Sequence, residues 1–311
     1  MEETDSGLAE NSENESKRAS LYLFRKFYRK NRPQIILVSV FLFLQLAGVF
    51  LAYTVSHSPE MKEYMEINRP PAFNPDSGEE TVINIVSIGV IGTIVLLSLK
   101  KFHLLKLKYI VMIAVFGAGS IVAGIFTDNI LLTTLVGLFL LAIRHLFDSL
   151  SMINFSVIVS VLGFGAMGQY IEPVYAIILL FLLSIYDIIG VLYTKHITYL
   201  WFGTYVFDTK WRAVLAFIMP VDEREVIMVG AGDFAFPLLL TFSSTKYFVE
   251  NSGSFAGIVG GLIIAVGTTL GFAVLQHMAA KSEQSKTTGL PGLPFVTIGG
   301  VIGYIFARLL I

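Results

Sequence analysis

The sequence predicts an all-α polytopic membrane protein with nine transmembrane helices, and three observations predict it. Mean hydropathy is +0.73, with 55% hydrophobic and 14% charged residues over 311 positions, too apolar for an ordinary soluble domain. The apolar residues gather into stretches of about 20, the length that crosses a bilayer as a helix. The 22 Lys and Arg residues are concentrated in alternate loops, as cytoplasmic loops require.

Residues 1–33 are a basic cytoplasmic tail. Its first part, 1–20, is acidic and Ser-rich and is expected to be disordered. The tail is polar, so no cleavable signal peptide is expected before the first span. Spans are expected over 34–55, 81–99, 109–126, 129–143, 155–170 and 173–193, the first six helices within 34–193. Residues 57–80, with Pro70, Pro71 and Pro75, read as an irregular outer cap. The third to fifth spans are short and carry Gly117, Gly119, Gly163 and Gly165, so tight hairpins are expected there. Residues 194–225 form a cytoplasmic interfacial loop holding Trp201 and Trp211 beside Tyr199, Phe202, Tyr205 and Phe207. Such rings favour the headgroup region; the loop either anchors its neighbouring helices or gates a site between them. Spans over 226–247, 255–278 and 291–311 complete the chain as helices seven to nine within 226–311. No repeat stands out.

With the N-terminus inside, every Lys and Arg except Lys62, Arg69, Lys246 and Arg308 falls on the cytoplasmic side, Arg144 included. An odd number of spans then puts the C-terminus outside. A net charge of -1 gives no sign of a nucleic-acid partner. With no cysteine, disulfides, thiolate metal sites and a cysteine nucleophile are excluded, and no metal or cofactor is expected.

Asp187 and Asp233 sit inside apolar stretches free of other charge. An ionisable group at bilayer depth costs about 2.5–3.5 kcal/mol on insertion scales and marks function by default. Counted from helix ends at Tyr193 and Val226, both carboxyls lie roughly 9–10 Å below the cytoplasmic face. The two spans are antiparallel and joined by the 194–225 loop, so their acids can meet. Ser184, Asp187 and Gly190 share one face. Gly230 shares a face with Asp233, Gly232 removes a side chain beside it, and such small residues let helices approach. Pro237 removes an N–H four residues later.

Two carboxyls a few ångströms apart do not both ionise cheaply and share a proton. That is the aspartic-protease arrangement: one carboxylate takes a proton from water as it attacks a peptide carbonyl, and the protonated partner hydrogen-bonds the oxyanion. Taken only as buried acids, the pair points more often to the ion or proton pathway of a transporter or channel. Asp128, Asp148, Glu172 and Glu250 fall at expected span ends and read as solvated. No HExxH zinc motif is present, and Gly117-Ala118-Gly119-Ser120 lacks a histidine partner in a neighbouring span.

Tyr186-Asp187, then Gly230-Ala231-Gly232-Asp233, then Pro291-Gly292-Leu293 at the start of the last span resemble the presenilin and signal peptide peptidase family, most of all its archaeal members. The resemblance covers 34–311 in helix count and motif order and implies a presenilin-like fold. It also implies an intramembrane aspartyl protease that cleaves transmembrane helices of membrane-protein substrates, with Asp187 and Asp233 as catalytic dyad. Tyr186, Gly230, Gly232, Pro291, Gly292 and Leu293 would shape the site or bind substrate. The third motif departs from the family's Pro-Ala-Leu, because Gly292 stands at its centre and adds backbone freedom. Prolines lack the amide donor, so this strip is expected to stay extended and to hydrogen-bond a substrate strand. The inside N-terminus resembles presenilin rather than signal peptide peptidase. Residues 194–225 lack the long insertion cleaved in presenilin maturation, which implies an active single chain without obligatory subunits.

Overall fold

The computed structural model describes residues 32–67, 79–80, 82–87, 105–127, 129–147, 149–193, 215–220, 226–282 and 289–311. The expected tail up to residue 31, most of the outer cap, most of the 81–99 span, and 194–214 with both tryptophans lie outside the described residues. Helix dominates. In chain order the helices are α1 (Arg32–His57), α2 (Pro59–Ile67), α3 (Leu105–Gly124), α4 (Ile130–Leu146), α5 (Leu150–Ala166) and α6 (Pro173–Ile188), then α7 (Ala231–Ser252), α8 (Ser254–Lys281) and α9 (Leu293–Leu310). A 3₁₀ turn, Met167–Tyr170, extends α5, and a π turn, Ile189–Tyr193, extends α6.

Among the described residues, five helices are long and apolar enough to cross a membrane: α1, α8, α9, and α5 and α6 with their extensions. The apolar parts of α3 and α4 are shorter. Helix α7 is long but less apolar, with Thr241, Ser243, Ser244 and Thr245 in succession, all buried. Its polarity is tolerated because protein rather than lipid surrounds it. Thr241 donates to Gln45 Oε1 on α1 at 2.6 Å, and Ser243 to the Ile171 carbonyl at 2.6 Å.

The helix expected over 226–247 begins only at Ala231. Val226–Gly230 is instead a strand, β2, paired antiparallel with β1 (Ala216–Pro220) in a two-stranded sheet. This corrects the all-α expectation. Val226, Ile227 and Val229 are β-branched and suit a strand, and the partner AFIMP lies at the end of what reads as a loop. Phe217 and Val229 face one another in the register and enter a core with Phe41, Phe234 and Phe272. Phe41 stacks on Phe272 with ring centroids 4.4 Å apart, and Phe234 lies 5.4 Å from Phe272.

Glycines set the closest helix contact. A Cβ on Gly271 of α8 would lie 3.0 Å from the Phe295 carbonyl carbon of α9, and one on Gly299 would strike the backbone of Gly267. Only bare backbone allows that approach. One turn of α6 is tied to α9 by a buried hydrogen bond of 2.8 Å between Ser184 and Thr297.

Four cations bear on the expected charge partition. Arg144 is buried rather than solvated, at 2% exposure, and donates to Ser156 Oγ at 2.8 Å. Three cations expected outside gather at the C-terminal end of α7. Lys62 pairs with Glu250 at 3.1 Å, Lys246 donates to the Gln169 carbonyl at 2.8 Å, and Arg308 donates to Tyr247 Oη at 3.0 Å. Asp233 is at the opposite end of that helix.

Candidate active site

The site forms where α6 ends, α7 begins and α9 begins. Asp187 is the penultimate residue of α6, buried at 9% exposure, just before the helix widens into the π turn. Ser184 and Gly190, expected on its face, are buried with it. Asp187 Oδ2 accepts the Leu293 N–H at 3.1 Å. That amide is the first of α9, with no intrahelical partner of its own, and the positive end of the helix dipole favours a carboxylate there.

Asp233 lies in the first turn of α7, behind Gly230 as the N-cap. Its depth is therefore not seven helical residues below Val226, because those before Ala231 belong to β2. Its carboxyl lies near the Gly230 backbone, on the side of the helix start where a carboxylate is favoured. Pro237 within α7 leaves the Asp233 carbonyl without its helical donor.

Gly292 joins the two acids. It is buried between Pro291 and Leu293, and a Cβ built on it would sit 2.8 Å from Asp233 Oδ1, 2.9 Å from Cγ and 3.0 Å from Oδ2. The Asp233 carboxyl thus occupies the space an alanine methyl would take, while the next amide in the chain holds Asp187. Asp187 and Asp233 are near enough to act on each other electrostatically.

The remaining expected residues are less convergent. Gly232 would meet only the Phe236 ring of its own helix, at 3.3 Å; it opens space beside Asp233 rather than allowing a helix crossing. Tyr186 is half-buried on α6 next to Asp187. Among the other acids, Glu172 is exposed and Glu250 is ion-paired; Asp128 and Asp148 lie outside the described residues. Ser120 donates to the Phe116 carbonyl of its own helix at 3.0 Å, which gives it no catalytic posture.

Sequence reasoning missed the hairpin and what holds it. The Ala231 N–H donates to the Leu215 carbonyl at 3.0 Å, so hydrogen-bonded pairs alternate from there through Phe217–Val229 and Met219–Ile227. Ile218 and Met228 consequently turn their main-chain groups away from each other's strand. Asn154 of α5 meets the Ile218 groups. A run of apolar β-branched residues just before the GxGD segment was the available signal.

Residues 38–311 match the family model described as signal-peptide peptidase, presenilin aspartyl protease. The chain belongs to this family. Its fold is also that of a solved presenilin family intramembrane aspartate protease, with a TM-score of 0.60 and 21% identity over 90% of this chain and 100% of that one. No curated protein matches the chain in sequence. Family membership, with the apolar helices, makes this presenilin-family chain an integral membrane protein and indicates an intramembrane aspartyl protease.

Proposed function

We propose that this presenilin-family chain hydrolyses peptide bonds within the transmembrane helices of other membrane proteins, using Asp187 and Asp233 on an activated water. The observation that carries this reading is the convergence of both carboxyls on Gly292–Leu293, one at 3.1 Å from the Leu293 amide and one where a Gly292 Cβ would stand. A backbone segment shared by two acids brings them toward one place before substrate arrives, which is where such catalysis gains most.

One carboxylate takes a proton from water while the water oxygen bonds to the scissile carbonyl carbon. The partner acid gives its proton to the carbonyl oxygen, leaving a gem-diol. Collapse returns one hydroxyl proton to a carboxylate, the amide nitrogen is protonated by the other acid, and the C–N bond breaks. The products are a new carboxyl and a new amine, and the pair again holds one proton.

A helical substrate keeps its amides bonded within itself and must unwind first. Met228 offers an outward N–H and C=O on β2, two residues before Gly230, whereas Gly292 is helical (φ -86, ψ -42) rather than extended, so the strip expected to pair with substrate presents no strand edge there. Pairing with the β2 edge replaces the amide bonds that unwinding breaks. Tyr186, Gly230, Gly232, Pro291, Gly292 and Leu293 shape this space. The N-terminus is cytoplasmic and the C-terminus outside, an orientation supported by the sequence because all but four of the 22 Lys and Arg residues then fall inside. The chain acts without obligatory subunits.

The test is incubation of the purified chain with a panel of single-span peptides, with fragments identified by mass spectrometry. Cuts inside the span are expected. No cuts across the panel, together with Asp-dependent ion flux in liposomes, would establish a conduction pathway instead.

A further inference from the structure

Asn154 is half-buried near the start of α5, and its carboxamide makes two bonds to one residue of β1. Nδ2 donates to the Ile218 carbonyl at 2.7 Å, and Oδ1 accepts the Ile218 N–H at 2.8 Å. A donor and an acceptor offered together to one residue's main chain is what a neighbouring strand supplies. The side chain therefore stands where a third strand would add to β1. Ile218 itself is fully buried, so its two polar groups would otherwise lack partners.

Two consequences follow from this contact. The β1 edge is capped at Ile218, while the outward main-chain groups of Met228 on β2 face away from β1. The hairpin is also pinned to α5 at the level of the Ile218–Met228 pair, two residues from the N-cap of the helix that carries Asp233.

We propose that Asn154 is a positioning residue that holds the hairpin in one place against α5, so that an unwound substrate segment pairs with β2 in a single register. It rests on the reading of β2 as the substrate edge. Shifts of two residues keep every side chain on its face, so an unpinned hairpin has near-equivalent registers to choose from. Each register presents a different bond to Asp187 and Asp233.

The experiment compares the full chain with Asn154→Ala, Asn154→Gln and Asn154→Asp, each reconstituted in lipid vesicles with one single-span peptide. Cleavage positions are mapped by mass spectrometry, and KM and kcat are measured separately. Wild type should favour one bond. Asn154→Ala should spread cleavage to neighbouring bonds and raise KM roughly tenfold, the loss expected for about two hydrogen bonds. Gln, with the same donor and acceptor, should restore part of the wild-type pattern; Asp, whose carboxylate faces the Ile218 carbonyl, should not. An Asn154→Ala enzyme with wild-type KM and cleavage positions overturns the proposal, whatever its thermal stability. Should the Ala variant fail to fold, identical patterns from Gln and Asp overturn it equally. A folded wild type that cuts nothing removes the protease reading and this inference with it, whereas an active enzyme indifferent to Asn154 removes the inference alone.

Discussion

Gly292 is the residue on which the site geometry turns. An added methyl would meet three atoms of the Asp233 carboxyl at 2.8–3.0 Å, so either the carboxyl swings away or the 291–293 backbone retreats. Gly292→Ala should therefore lower kcat by about 100-fold, the effect of a misplacement near 1 Å, while changing stability by no more than about 1–3 kcal/mol. Cleavage assays beside thermal unfolding separate the two. The family's own third motif carries alanine here, so the prediction asks whether this chain has built its site around the missing methyl. The acids themselves give a pH test. In the proposed mechanism the active form holds one shared proton; acid adds a second and removes the base, and alkali removes the first and with it the acid. The rate should rise and then fall with pH, and a flat profile from acid to alkaline conditions would contradict a titrating pair.

At the level of elements, α6 and α9 are joined just below the acids by Ser184 and Thr297. Ser184→Ala should cost about 1 kcal/mol, read as a lower unfolding temperature, with activity reduced in proportion as Asp187 loses its fixed distance to the Leu293 amide. Much of this was legible beforehand. Two acids in apolar spans, a polar face through Ser184 and a proline-led entry to the last helix each follow from local sequence. The hairpin did not. A five-residue apolar run such as VIMVG fits strand or buried helix equally, and its pairing with AFIMP is non-local. The depth assigned to Asp233 failed for the same reason, since it counted a strand as helix. Charge counting assigned Arg144 to the cytoplasmic side but did not reveal its burial, because the Ser156 hydroxyl it donates to comes from the next helix; position along the chain says nothing of burial.

For the whole molecule, the acids and the outer cations occupy opposite ends of α7, which ties catalysis to the cytoplasmic side in the proposed orientation. The chain contains no cysteine, so single substitutions report topology cleanly. In intact cells a membrane-impermeant maleimide should label Glu63→Cys and leave Lys281→Cys unlabelled until the membrane is opened; the reverse pattern would invert the orientation. The central claim is that Asp187 and Asp233 together hydrolyse a bond inside a membrane span. Its most direct test is one measurement: mass spectrometry of a single-span peptide in vesicles with wild type, Asp187→Asn or Asp233→Asn, all shown to be folded. Wild type should yield fragments ending within the span, and each variant should fall by at least about 100-fold. Undiminished cleavage by either variant, or no cleavage by wild type, would contradict it.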